Sequence, residues 1–230
     1  AADGMELPLN RDYFAYTPDD LPDNDRMIAD ARDMIKRLLA LRDAPVADPY
    51  TGPAILSGPA SGVFFHEIFG HRIEGHRLKG GGETFKKKVG ELVLPADFQV
   101  YCDPTLRSYA GEELNGFYLY DDQGVKARRV DVVKDGILRE FLMSRVPLDG
   151  FPHSNGHGRT AGGGDPVSRQ SNLVVETTAP HTEAELRSML IEEAKKQGKE
   201  YGYYFKEVPS GFTLTGEGGS LNSFNVTPLE

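Results

Sequence analysis

Between Val63 and Gly75 an apolar, helix-like stretch is interrupted by His66-Glu67-Ile68-Phe69-Gly70-His71, two imidazoles bracketing a carboxylate. That combination suits a divalent metal with its general base. A neutral imidazole is the commonest side-chain metal ligand and suits zinc. A carboxylate beside the first ligand can take a proton from water that the metal activates, which is the logic of the H-E-x-x-H helix. His66 and His71 are therefore the candidate metal ligands and Glu67 the candidate catalytic base.

The spacing is one residue longer than in H-E-x-x-H. On an ideal helix His66 and His71 would point about 140° apart, against about 40° for a four-residue spacing. A locally widened turn of the π type would reconcile them, and Gly70 is the residue best able to permit it. Glu67, His71 and Glu74 fall at i, i+4 and i+7 and share one face, which leaves His66 displaced. The competing reading is a structural histidine pair on a helix surface.

The surrounding blocks are more specific. Ile55-Leu56-Ser57-Gly58-Pro59 leads into the His-Glu segment and Arg72-Ile73-Glu74-Gly75-His76 leads out of it. Further on stand Val93-Leu94-Pro95, Asp121-Asp122-Gln123-Gly124-Val125, Phe141-Leu142-Met143-Ser144-Arg145, Asn155-Gly156-His157-Gly158, Arg169-Gln170-Ser171-Asn172 and Asn222-Ser223-Phe224-Asn225. In combination they resemble the TldD/PmbA metallopeptidase family, first described as modulators of DNA gyrase. The resemblance runs from about Ile55 to the end of the chain.

It implies a zinc-dependent peptidase acting on unfolded or small peptides, in which His66 and His71 hold the metal and Glu67 is the general base. It also implies a homo- or hetero-oligomer with a second TldD/PmbA-type subunit, and a third metal ligand, a cysteine, from a further C-terminal stretch. On that pattern residues 1–50 are the end of an upstream domain, and residues 51–230 a metallopeptidase domain truncated at its C-terminus. Two histidines alone are a ligand short of a catalytic zinc site, so these 230 residues by themselves are expected to bind zinc weakly or not at all. The family also contains subunits without the motif, so the alternative is a non-catalytic peptide-binding or scaffolding subunit.

Composition narrows the other possibilities. A net charge of -9 argues against a broad nucleic-acid contact, which needs an excess of Lys and Arg. No apolar run approaches the ~18 residues of a membrane span, and no signal-peptide pattern opens the chain, so the expected location is cytoplasmic. The single cysteine, Cys102, excludes an internal disulfide framework. It reads as a small buried side chain at the end of the strand Asp97–Tyr101, with replacement of the third metal ligand as the alternative.

Along the chain, Met27, Ile28, Ala31, Met34, Ile35, Leu38 and Leu39 recur at helical spacing, which predicts an amphipathic helix from Asn24 to about Asp43. Its apolar face is expected to pack on a sheet or another subunit. Ala54–Ser57 reads as a strand, and the metal helix follows from about Ser61 to Gly75. Gly80-Gly81-Gly82 lacks the Gly-Lys-Ser/Thr ending of a phosphate loop and reads as a flap or solvated loop. Strands are expected at Phe117–Tyr120, Ala127–Val133, Ile137–Met143, Ser171–Val175, Tyr203–Phe205 and Phe212–Thr215, with Lys134-Asp135-Gly136 a hairpin turn. Phe151–Val167 reads as a long loop whose His157 and Arg159 either touch substrate or bond within the loop. Thr182 and Glu185 form a capping box that opens a helix to about Gln197. The class is α+β, a largely antiparallel sheet with the metal helix and a few flanking helices.

Overall fold

In the computed structural model the described residues are 4, 6–79, 85–160, 163–213 and 224–227, and their contacts divide the chain into two units. The first comprises the chain up to Phe64 together with His181–Gly211, and the second runs from Phe65 to Pro180 and resumes at Phe212.

In the first unit α1 spans Asn24–Asp43, as its periodicity predicts. Asp23 caps it by accepting from the Arg26 amide at 2.8 Å, satisfying one of the amides that a helix start leaves unpaired. The expected packing of its apolar face is not made among the described residues: Ile28, Ile35, Leu38 and Leu39 are exposed, and no α1 residue is buried. Strand β1 (Ala54–Leu56) pairs in parallel with a distant strand, Tyr203–Phe205, in the register Ala54↔Tyr203. The helix Glu183–Lys196 lies against β1 and opens with the predicted capping box. There the Glu185 amide donates to Thr182 Oγ1 at 3.2 Å, and the Thr182 amide to Glu185 Oε2 at 2.6 Å.

The second unit is built on four antiparallel strands. β2 (Phe98–Cys102) is central, flanked on one side by Val130–Lys134 and its hairpin partner Ile137–Leu138, and on the other by Leu173–Thr177. Opposite β2 the register slips between Val100 and Tyr101, so that Val100 faces Val133 and Tyr101 faces Asp131. Val132 is thereby left over as a bulge, and adjacent Val132 and Val133 are both buried. The predicted hairpin turn is a two-residue one. Asp135 and Gly136 both have positive φ, 54° and 73°, the backbone a primed turn needs to match strand twist.

The core joins this sheet to the metal-motif segment: Phe69, Ile73 and Leu78 pack with Val100, Val130, Leu138, Phe141, Leu142 and Met143. The α+β class holds, with the parallel pair of the first unit added to it. Some expectations change. Phe117–Tyr120 is not a strand; the Tyr118 amide donates to Pro104 O and its hydroxyl to Gly156 O, so the segment is fixed by distant loops rather than a ladder. The strand from Ile137 stops at Leu138, because Leu142 turns away to bridge Glu74. The long loop contains a two-stranded ribbon, Gly158–Arg159 with Val167–Ser168, and Ser108–Tyr109 pairs with Glu112–Glu113 unforeseen. Gly80–Gly82, with Leu214 and Thr215, lies outside the described residues. No described helix is long and apolar enough to cross a membrane.

Candidate metal centre

The helix carrying His66 and Glu67, α2, runs over Gly58–Ile68. It does not continue to Gly75. The Phe69 amide still bonds to Phe65 O, but the next turn, Gly70–Ile73, is a 3-10 turn in which the Arg72 amide bonds to Phe69 O at 2.9 Å. The expected distortion between Glu67 and His71 is present, but the turn is tightened rather than widened. The reason lies downstream. Glu74 is extended (φ -76°, ψ 104°) and bridges Leu142, which donates to Ile73 O and accepts from the Gly75 amide, both at 2.9 Å. A continuous helix would forfeit that bridge. α3, Gly75–Lys79, begins immediately after it.

Ending α2 early leaves its last carbonyls without intrahelical partners, and each is met by a side chain. Gln170 Nε2 donates to His66 O at 3.5 Å, Thr213 Oγ1 to Glu67 O at 2.6 Å, and the buried Arg72 guanidinium to Ile68 O. Gly70 gives the end of the Gln170 side chain its place. A β-carbon at that position would lie 2.0 Å from Gln170 Oε1.

The broken helix brings His66, Glu67 and His71 together, with one donor atom from each lying within 4.8 Å of the others. His71 Nε2 is 3.6 Å from Glu67 Oε2, His66 Nε2 is 3.9 Å from Glu67 Oε1, and the imidazole centroids are 4.6 Å apart. Glu67 is buried and the His66 side chain about half exposed, so the cluster opens to solvent on the His66 side. Burial and the neighbouring His71 hold His66 below its usual pKa, which favours the neutral ring a metal ligand must be. The two imidazoles fit zinc by type, with the Glu67 carboxylate beside them. The atoms stand somewhat wider than the ~3.4 Å separating tetrahedral ligands at Zn–N distances of about 2.0–2.1 Å, a gap that side-chain rotation can close.

Beyond this cluster, Glu74 is 1% exposed, accepts from Arg77 Nε at 2.5 Å and lies 3.2 Å from His71 Nδ1, with Arg169 at 3.6 Å. Burial pushes its carboxyl pKa up. The His71 hydrogen bond and the His71 and Arg77 charges outweigh this, so the net shift is downward. The helical face shared by Glu67, His71 and Glu74 was visible in the sequence. Thr213, Arg169 and Gln170 were not legible as site residues, since nothing local in their segments points to contacts so far back along the chain.

The other candidates stand apart. Cys102 is fully buried in β2, its thiol pushed up to about 12 by burial, and it is not part of the cluster. His157 is buried between Asn155 O and Ser171 Oγ, and Arg159 pairs with Asp122 at 2.6 Å over the Tyr118 ring, so both bond within the fold. His76, in α3, is half-buried and outside the cluster.

The chain belongs to the PmbA/TldA metallopeptidase family, whose C-terminal domain model matches residues 49–216. A metalloprotease of Methanocaldococcus jannaschii is 29% identical over 190 residues, covering 82% of this chain and 38% of that protein. A metalloprotease of Archaeoglobus fulgidus is 32% identical over 123 residues, covering 54% of this chain and 28% of that one. Among solved structures, a Thermotoga maritima protein described as a modulator of a DNA gyrase superposes with a TM-score of 0.58 at 20% identity, covering 76% of this chain and 38% of its own. TldE from Thermococcus kodakarensis superposes with a TM-score of 0.55 at 19% identity, covering 79% and 39%. The chain thus spans less than two fifths of the length of each of these relatives.

Proposed function

We propose that this chain carries the catalytic residues of a zinc-dependent peptidase that cleaves unfolded or small peptides. The observation that carries this reading is the meeting of His66, Glu67 and His71 around one point, on a chain whose relatives are metalloproteases.

His66 and His71 would hold the ion, completed by a third ligand from outside these 230 residues. Zinc in such a site supplies Lewis acidity and brings the pKa of water to about 7. Glu67, buried and within 4 Å of both imidazoles, then takes a proton from the attacking water and delivers it to the leaving amine. Thr213 Oγ1, 3.0 Å from Glu67 Oε2, holds the carboxylate in place. Extended peptide would be read through its backbone by strand addition, with little sequence preference. The likeness to TldE supports an oligomer with a second subunit of the family, and the net charge of -9 supports a function without nucleic acid. We place the protein in the cytoplasm.

The test uses the full-length protein with its partner subunit, an unfolded peptide and elemental analysis. Glu67→Gln should lower cleavage by about 10²- to 10⁴-fold with metal content retained, whereas His66→Ala or His71→Ala should lose both. Full activity in Glu67→Gln would remove the proton-transfer role. No cleavage by the unsubstituted protein would favour the scaffolding subunit.

A further inference from the structure

One closely held group near the cluster is not itself used by the proposed chemistry. Glu74 is fixed from three directions. Its backbone is pinned by the bridge to Leu142. The next residue has no room for a side chain, since a β-carbon on Gly75 would lie 2.4 Å from Met143 Sδ and 3.0 Å from Leu142 O. Its carboxylate meets Arg77 at 2.5 Å and Arg169 at 3.6 Å, two permanent cations that keep it ionised.

An ionised carboxylate only accepts hydrogen bonds. At 3.2 Å from Glu74 Oε2, His71 Nδ1 must therefore be the donor, which in a neutral ring leaves the lone pair on Nε2. Nε2 is the nitrogen that faces Glu67, at 3.6 Å. One neighbour opposes this assignment. Arg77 Nη2 lies 3.4 Å from the same Nδ1, and a guanidinium is a donor only, so it would favour the lone pair on Nδ1. The carboxylate is the nearer partner, and Arg77 already directs Nε to Glu74.

We propose that Glu74 is a positioning residue that holds His71 as the Nδ1–H tautomer with Nε2 turned to the metal, and that Arg77 and Arg169 serve this by fixing the carboxylate. The inference rests on the reading of His71 as a ligand. Its general basis is that the outer partner of a ligating histidine sets tautomer and ring orientation, and that its loss typically costs about 10- to 100-fold in metal affinity.

The experiment takes the full-length protein labelled with ¹⁵N-histidine and stripped of metal. Nitrogen shifts report which His71 nitrogen bears the proton, and competition with a chromogenic chelator gives the affinity for zinc alone. The metal-free wild type should show Nδ1–H. Glu74→Gln keeps an acceptor oxygen but loses the charge, and should bind zinc about 10-fold more weakly. Glu74→Ala leaves Arg77 as the remaining neighbour of Nδ1, so it should move His71 toward Nε2–H and weaken zinc by about 100-fold. An Nε2–H tautomer in the wild type, or unchanged zinc affinity in Glu74→Gln, would overturn the proposal. If Glu74→Ala does not fold, the other two measurements still decide. A wild type that binds no zinc sinks the peptidase reading, while the tautomer continues to report on Glu74.

Discussion

Thr213 and Glu67 are 146 positions apart, yet Thr213 Oγ1 lies 2.6 Å from the Glu67 carbonyl oxygen and 3.0 Å from its carboxylate. One hydroxyl proton, shared between the two acceptors with the carbonyl the nearer, thus caps the end of α2 and steadies the proposed base. Thr213→Val, nearly isosteric, should lower peptide cleavage by roughly 10-fold, the scale of one hydrogen bond to a charged group, with zinc content unchanged. The check is cleavage rate and metal content measured side by side with Glu67→Gln. A loss as deep as that of Glu67→Gln would show that Thr213 does more than aim the carboxylate.

The turn Asp135-Gly136 should be the least tolerant glycine position of the central sheet. Gly136 has φ of 73°, and a β-carbon there would stand 2.5 Å from Leu94 O and 2.7 Å from Pro95 O. Both are backbone atoms that cannot swing aside. Gly136→Ala should destabilise by about 1–3 kcal/mol, read as a lower urea midpoint. Gly90, also at positive φ but with open space around it, should lose only the backbone cost of about 1 kcal/mol on the same substitution.

Burial lowers the pKa of His157 from its ordinary 6.5 to about 4. The folded protein then binds fewer protons than the unfolded chain between these values, so stability is complete above about pH 6.5 and falls as pH drops toward about 4, by about 3 kcal/mol from this residue alone. Urea midpoints over that range measure it. His157→Gln should be less stable at neutral pH, having lost its contacts, but should show a shallower acid dependence. An equally steep dependence would mean that other groups carry the acid transition.

Cys102 should behave as an apolar core residue. With its thiol pushed up to about 12 and no exposure, it should resist a thiol reagent in the native protein and react once unfolded. Cys102→Ala should leave zinc content unchanged and cost about 1 kcal/mol or somewhat more. Loss of zinc would place the thiol at the metal.

Where the sequence was legible, the physics was local. The span of α1, the Thr182–Glu185 capping box and the Asp135-Gly136 turn each depend on residues within one or two turns of one another, and each stands as expected. The His66-Glu67-His71 grouping was legible for the same reason. What was missed depends on partners far along the chain. β1 finds its parallel neighbour in Tyr203–Phe205, Tyr118 is tied to Pro104 and Gly156 instead of a ladder, and α2 tightens because Leu142 claims the backbone on either side of Glu74. The hydrophobic pattern continued past Ile68 as though the helix did, since Phe69 and Ile73 enter the core from a 3-10 turn as readily as from an α-helix.

The capping of α2 has a consequence for the order in which the protein can be made. His66, Glu67 and His71 leave the ribosome together, before any of the groups that set their positions. Leu142 follows, then Gln170 and Arg169 from one segment, and Thr213 last. A nascent chain that met zinc early would offer two unrestrained imidazoles and a mobile carboxylate, poor equipment for holding an ion or for hydrolysing the chain beside it. Competence would arrive only once Thr213 has emerged, a delay written into the contacts themselves.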